Sequence, residues 1–312
     1  MSGPNNKLRA ITYLLLAIAF ATSQDAIVKG LQGGYPTWEV VAFRGATALP
    51  PFLIWGYFAR LNFFKLPSAW PLILLRSIIL FSAYMAFALA TATMPLANAV
   101  AIYFTMPFFV GALSGWALSE KVPTYRWMAI AIGFGGVLVS VRPGSETFSA
   151  AAILALYAAF GYAVGQILSR KISQGTDPLI IANMQSVLYF GGSVLIGVII
   201  SIFKIDASSA ATFAALTKPF AWPPVKDLAV MSLMGLFSCL SSVFFVRAYQ
   251  SAPASYVAPL EYSAMIFAVF YGITWFNDYP DYYTLMGAAI VIAAGLFMVA
   301  MDRKQQVAGA AQ

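Results

Sequence analysis

Ten apolar runs, separated by short polar segments, divide the chain from end to end. Each is about 20 residues long, the length at which an α-helix crosses the hydrocarbon core of a bilayer, and the alternating pattern of a barrel strand is missing. The first five runs are Ala10–Leu31, Pro36–Phe58, Pro71–Ala92, Pro95–Leu118 and Thr124–Val141. The last five are Thr147–Leu168, Pro178–Phe203, Asp227–Gln250, Pro253–Phe276 and Asp281–Met301. The pattern predicts an all-α membrane protein with ten transmembrane helices.

Two polar stretches complete this prediction. The longest connection, Lys204–Lys226, contains three prolines and is predicted to be a loop with short interfacial pieces. The polar tail after Met301 is predicted to be disordered.

The composition indicates the same class of protein. Of the 312 residues, 61% are hydrophobic and 9% are charged, whereas a soluble domain carries about 25% charged residues. The net charge of +7 does not predict a nucleic-acid partner, because the basic residues are scattered along short loops. In a membrane protein such an excess reports orientation.

The lysines and arginines predict that both termini are cytoplasmic, in a bacterial-type inner (plasma) membrane. Ten of them fall at predicted inner ends and loops: Lys7, Arg9, Arg60, Lys65, Lys121, Arg126, Arg170, Lys171, Arg303 and Lys304. Five fall at predicted outer ends: Lys29, Arg142, Lys204, Lys218 and Lys226.

The second half of the chain repeats the first. The spaced residues Phe87, Ala90 and Pro95 match Phe245, Ala248 and Pro253, and the pattern Leu14–Phe20 matches Leu154–Phe160. The second match also counts against cleavage of the first segment as a signal peptide. We therefore expect two five-helix repeats, residues 1–145 and 146–312. Because five is odd, the second repeat is predicted to enter the membrane inverted, as in many transporters.

Catalytic and cofactor signatures are missing from the sequence. Without histidine there is no histidine-based triad or metal site, and no phosphate-binding loop occurs. The single cysteine, Cys239, is interpreted as packing. We expect no enzyme activity, no cofactor and no metal.

Four features carry a resemblance to a known family: ten helices, two five-helix units, proline-started fourth and ninth helices, and an acidic residue between helices four and five. The supporting residues are Pro36, Arg44, Glu120, Trp127, Gly133, Gly135 and Gly136. Together they resemble the drug/metabolite transporter superfamily, EamA-type, and most of all its YddG-type exporters of aromatic amino acids. The second half departs from the pattern, since Ser186 rather than arginine follows Pro178 by eight residues.

Charged residues inside the apolar runs need a partner or water. Asp25 and Arg44 are predicted at similar depth, either as a structural ion pair or in direct contact with substrate. Glu261 falls in the same leaflet as Arg76 and Arg247, either as part of an ion pair or as a gate or protonatable coupling residue.

Aromatic and amide side chains are the candidates for a binding wall, with packing or lipid contact as the alternative. The resemblance implies a cavity lined by helices 1, 3, 4, 6, 8 and 9. The candidate substrate-binding residues are Gln24, Tyr84, Phe87, Asn98, Ile102, Gln166, Phe245, Tyr249, Tyr256 and Leu260.

These features predict a secondary transporter that exports aromatic or other bulky apolar amino acids and related small metabolites by alternating access. Its expected partners are the lipid bilayer and a small-molecule substrate. Export of other metabolites is the first alternative, and a membrane-embedded enzyme or scaffold is the second. The direction of flux, proton coupling and oligomeric state stay open.

Overall fold

A computed structural model describes the chain at residues 4–63, 67–117, 124–142, 150–172, 176–206, 211–251, 261 and 263–310. Regular secondary structure within these ranges is entirely helical. The helices of the first half are α1 Pro4–Leu31, α2 Thr37–Phe58, α3 Trp70–Thr93, α4 Leu96–Tyr103, α5 Met106–Ala117 and α6 Thr124–Val141. Those of the second half are α7 Ala150–Ile172, α8 Pro178–Phe203, α9 Ala211–Thr217, α10 Val225–Ser251, α11 Ala264–Phe276 and α12 Tyr282–Ala310.

Most helices begin and end close to the ends of the predicted apolar runs. The helices α6 and α8 have the predicted bounds, and α2 begins one residue later than predicted. In the ninth run, residues 253–260 and 262 lie outside the described residues. The long connection contains a short helix, α9; its predicted interfacial position stays a prediction.

Two predictions about continuity were wrong. The fourth run contains two helices, because α4 ends at Tyr103 and α5 begins at Met106. Pro107 has no amide hydrogen, and its ring would clash with the carbonyl of Tyr103, four residues earlier. The tail after Met301 is helical as far as Ala310, since it is rich in the good helix formers Ala, Gln, Lys and Arg.

Within the described ranges, five helices have the length and hydropathy needed to cross a membrane: Leu8–Leu31, Trp70–Thr93, Ala150–Ser169, Leu179–Phe203 and Val225–Phe245. Large apolar side chains lie exposed on them, for example Leu195 and Ile202 on α8. A soluble protein would bury a contiguous apolar surface of this kind. The chain is therefore a multi-pass membrane protein.

Helices of one half pack mainly on helices of the other. The helix α1 packs on α10, and α3 packs on α7. The helix α2 packs on α8 and α10, while α8 also packs on α3. The helix α6 packs on α12, and α4 contacts both α7 and α11. The two halves thus pack against each other along most of their helices.

Glycines allow these helices to approach closely. A Cβ atom on Gly45 of α2 would lie 2.5 Å from the backbone nitrogen of Phe190 and 2.9 Å from the carbonyl oxygen of Ser186, both on α8. On α7, a Cβ on Gly161 would lie 2.8 Å from Cβ of Ala83, and one on Gly165 would lie 2.6 Å from the side chain of Leu80. Gly161 and Gly165 thus act as small packing residues where α7 meets α3.

We predict that Gly45→Ala lowers the stability of the folded protein, because its methyl group would meet backbone atoms that cannot rotate away. Overpacking of this kind costs about 1–3 kcal/mol. The measurement is thermal unfolding in detergent. Gly191→Ala on α8 is the control, since a Cβ there meets nothing within 4 Å. Equal stability of the two variants would contradict the close α2–α8 contact.

Candidate functional site

Four tyrosines from four helices lie between the two halves. Tyr84 of α3 stacks on Tyr189 of α8, with ring centroids 5.5 Å apart and planes 29° apart. Tyr103 of α4 and Tyr162 of α7 make an edge contact at 5.5 Å. Phe87 of α3 lies 5.3 Å from Tyr103. We call Tyr84, Tyr103, Tyr162 and Tyr189 the tyrosine cluster.

One carboxylate and one amide of α1 reach the tyrosine cluster. Gln24 is buried, and its Nε2 donates to the hydroxyl oxygen of Tyr84 at 3.1 Å and to Oδ1 of Asp25 at 3.3 Å. The Tyr84 hydroxyl in turn donates to the same Asp25 oxygen at 3.3 Å. Asp25 is thus held by neutral hydrogen-bond donors.

Arg44 of α2 lies against the same tyrosines from the other side. Its Cζ atom is 3.9 Å from the ring centroid of Tyr84 and 4.6 Å from that of Tyr189. Such cation–π contacts contribute more when they are desolvated, and Arg44 is only 8% exposed. Its Nε and Nη1 are buried and have no hydrogen-bond partner.

Within the described residues Asp25 and Arg44 form no direct salt bridge; each contacts Tyr84, and their charges interact electrostatically. The hydroxyl group of Tyr84 faces Asp25, and its ring faces Arg44. The similar depth expected for the two residues agrees with this arrangement. Counting residues along each helix gave the depth of Asp25 and Arg44, but it did not reveal the tyrosine ring that contacts both.

A second polar group surrounds Arg76 on α3. Its Nε donates to Oγ of Ser169 at 2.6 Å, and its Nη1 donates to Oε1 of Gln185 at 2.9 Å. Gln185 also donates to the hydroxyl of Tyr189, which donates to the carbonyl of Leu80. A hydrogen-bonded chain therefore leads from Arg76 to the tyrosine cluster.

Glu261 belongs to the surroundings of the tyrosine cluster on the α7 side. Its charge acts electrostatically on Tyr103 and Tyr162. Tyr162 interacts in addition with Gln166, one helical turn later on α7. Arg247, the other predicted partner of Glu261, is exposed and lies 5.1 Å from the ring centroid of Trp55.

The remaining predicted wall residues divide into three groups. Ile102 is buried in the apolar core, and Asn98 has a buried Oδ1 without a hydrogen-bond partner. Phe245 packs against the α1 residues Ala10, Leu14 and Ile18. The side chain of Tyr249, and the whole of Tyr256 and Leu260, lie outside the described residues.

The sequence reasoning missed three of the four clustered tyrosines and one amide. Tyr103, Tyr162, Tyr189 and Gln185 were not among the candidates. Gln185 and Tyr189 are four residues apart inside an apolar run, which puts two polar groups on one helix face. That spacing could have identified Gln185 and Tyr189 from the sequence. No sequence pattern indicates the rotation of α4 and α7 that brings Tyr103 to Tyr162.

Polar contacts also join the halves where α1 and α3 end. Lys29 of α1 forms a 2.8 Å salt bridge with Asp278, which precedes α12, and donates to the carbonyl of Met94 at 3.0 Å. Nearby, the Tyr35 hydroxyl donates to Asp227 at 2.6 Å. This hydrogen bond raises the pKa of Tyr35 to about 12, so the tyrosine stays a donor at neutral pH. These contacts connect the two halves at this end of the bundle.

The residues now placed together, a tyrosine cluster with charged groups between two packed halves of a membrane protein, define a transporter-type core. The chain belongs to the EamA-like transporter family, which matches it twice, at residues 8–142 and 149–301. That match covers almost the whole chain and confirms the superfamily resemblance.

Curated relatives of similar length are transporters. The S-adenosylmethionine uptake transporter of Rickettsia conorii is 25% identical over 95% of this chain and 94% of its own length. The riboflavin transporter of Rhizobium johnstonii is 26% identical over 69% of this chain and 65% of its own. The pseudopaline exporter of Pseudomonas aeruginosa is 23% identical over 92% of this chain and 95% of its own. The three are named for three different molecules and for both directions of transport.

A solved crystal structure shares the fold. It superposes with a TM-score of 0.64, at 13% sequence identity, over 97% of this chain and 99% of that one. The likeness extends across both halves.

We predict that Tyr84→Phe destabilises the protein less than Tyr84→Leu. The phenylalanine keeps the ring against Arg44 and loses only the hydroxyl contacts to Gln24 and Asp25, at about 1–3 kcal/mol. Leucine also removes the cation–π contact, which contributes about 2 kcal/mol more when desolvated. Unfolding in detergent measures both changes. Tyr57→Phe, at a tyrosine that is 81% exposed, is the control, and equal losses for both Tyr84 variants would contradict the ring contact.

Proposed function

We propose that this protein is a secondary transporter that exports aromatic or other bulky apolar amino acids and related small metabolites through the centre of the molecule. The observation that carries the proposal is the tyrosine cluster, with Asp25 and Arg44 on either side of Tyr84. Tyrosine rings bind aromatic groups by stacking and edge contacts. Ionisable groups kept within membrane helices are typical of substrate pathways.

The proposed architecture has ten membrane helices in two inverted five-helix repeats, 1–145 and 146–312. The reciprocal contacts support it: α1 packs on α10 as α7 packs on α3, while α2 with α8 and α6 with α12 pair equivalent helices. The double match to one family supports it as well. Substrate sites of inverted-repeat transporters lie between the repeats, and this is where the tyrosine cluster lies.

Alternating access would then come from movement of one repeat against the other. The Lys29–Asp278 salt bridge joins the two repeats at one end of the bundle. Breaking it would open that end, and the interruption between α4 and α5 offers a bend beside Tyr103. New contacts between the repeats would then have to form at the opposite end of the bundle, to close that end.

S-adenosylmethionine uptake is the second candidate, favoured by the relative that aligns over almost the full length of both chains. That molecule also combines an aromatic ring with an amino acid end. It therefore suits the same arrangement of tyrosines and charges. The two candidate functions differ in the direction of transport and in the ring system of the transported molecule.

The transport test uses purified protein in liposomes and a panel of labelled compounds: L-tryptophan, L-phenylalanine, S-adenosylmethionine, riboflavin and L-alanine. We expect one or more of the ring compounds to be transported and L-alanine to be excluded. Tyr162→Leu should lower the transport of that compound about 2- to 10-fold, the effect of losing one aromatic contact.

Tyr157→Leu is the matched control, since Tyr157 is on the same helix and 47% exposed. It should transport at the parent rate. Transport of L-alanine in preference to every ring compound would contradict the proposed substrate class. Repeating the assay with and without a proton gradient determines whether transport is proton-coupled.

Topology is tested separately with reporter fusions. The distribution of lysine and arginine predicts a cytoplasmic signal from a reporter placed after Lys304 and from one inserted beside Lys65. An insertion beside Lys218, in the long connection, should read periplasmic. Opposite signals from the first two sites would contradict the inverted repeat, because two units of five helices put both on the same side of the membrane. Periplasmic signals from both would contradict the predicted orientation.

A further inference from the structure

We infer that Arg44 is the receptor for a carboxylate group of the transported molecule, and that Asp25 with Gln24 receives its ammonium group. This inference rests on the proposed function and assigns the two charged ends of the cargo to particular side chains. It goes beyond the structural ion pair that the sequence suggested, because each charge keeps binding capacity for a ligand.

The first observation is the unusual state of Arg44. A buried guanidinium normally uses its N–H groups on carboxylates or carbonyls, because an unpaired buried donor is costly. Arg76 follows that rule with Ser169 and Gln185. The buried Nε and Nη1 atoms of Arg44 have no partner, and it makes no ion pair within the described part of the chain.

The second observation is how Arg44 is held. The rings of Tyr84 and Tyr189 contact its Cζ at 3.9 and 4.6 Å. Contacts with aromatic rings compensate the charge without using hydrogen bonds, so Nε and Nη1 in the planar fork of the guanidinium keep their capacity to bind a planar anion. A carboxylate matches that geometry with two parallel hydrogen bonds. The tyrosine rings thus hold the guanidinium of Arg44 in place without using its hydrogen-bond donors.

The third observation is the acceptor capacity on the other side of Tyr84. Asp25 accepts from Gln24 and Tyr84 at 3.3 Å each, which is long for hydrogen bonds to a carboxylate. Oε1 of Gln24 is buried and has no hydrogen-bond partner. An ammonium group has three donors and no acceptor, so it suits these oxygens. Tyr84 contacts both receptors, Asp25 through its hydroxyl and Arg44 through its ring, and neither charge is used up by a direct hydrogen bond to the other within the described residues.

The experiment measures binding to the purified full-length protein with compounds that differ at one end only. One series is L-tryptophan, L-tryptophan amide, in which the carboxylate is replaced, and indole-3-propionate, which lacks the ammonium group. The other is S-adenosylmethionine and its decarboxylated form. Competition against labelled L-tryptophan or S-adenosylmethionine gives relative affinities, so the series suits either proposed cargo.

We expect the parent protein to bind the compound with a carboxylate about 10- to 100-fold more tightly than its counterpart without one, as charge-assisted hydrogen bonds imply. In Arg44→Gln this preference should fall to within about 3-fold. In Asp25→Asn the preference for tryptophan over indole-3-propionate should fall similarly. Arg60→Gln, which removes an exposed arginine, should keep both preferences.

Arg44→Met is a second variant in case Arg44→Gln does not fold. A buried charge is often replaced by an apolar side chain of similar length without loss of stability. A folded Arg44 variant that still prefers the carboxylate overturns the inference, as does a parent protein that binds acid and amide equally. In both cases aromatic compounds still bind and the proposed function survives. If neither tryptophan nor S-adenosylmethionine binds, the proposed substrate class is wrong and the inference fails with it.

Discussion

The site depends on the close approach of α2 and α8 at Gly45. With no side chain there, the backbone of α2 lies against Ser186 and Phe190. The next residue back, Arg44, is thereby carried to the ring of Tyr189, which precedes Phe190, and to Tyr84 beside it. A larger residue at position 45 would push α2 outward and separate the guanidinium from both rings. Close packing at small residues drives association of membrane helices. Here it also positions the guanidinium of Arg44 beside the tyrosine rings.

Tyrosine rings compensate the buried charge of Arg44 in a different way from a carboxylate. A guanidinium in a low-dielectric interior needs compensation, and a direct pair with Asp25 would provide it while using up both charges. Stacking on Tyr84 and Tyr189 stabilises Arg44 and leaves its hydrogen-bond donors available. The same Tyr84 hydroxyl that donates to Asp25 keeps the carboxylate in place. The polar interior can therefore be ordered and still accept an organic ion.

The apolar runs predicted nearly every helix, because in a bilayer length and hydropathy alone decide which segments can be buried in lipid. They also predicted that Asp25 and Arg44 lie at similar depth. They could not predict Tyr189 or Tyr103 as neighbours, since contact across helices depends on how each helix is rotated about its axis. Pro107 was a possible bend by sequence alone, because proline excludes a hydrogen bond to the carbonyl of Tyr103.

The departure of the second half from the arginine pattern has a structural basis. By the spacing from the preceding proline, Ser186 occupies the position equivalent to Arg44. Ser186 is buried at the point where α2 and α8 come closest, and its carbonyl lies against Gly45. A long side chain there would compete for the space that the α2–α8 contact requires. The proposed inverted repeat would thus hold arginine at one of its two equivalent positions, which gives the proposed binding centre two distinct ends, as an asymmetric molecule such as an amino acid requires.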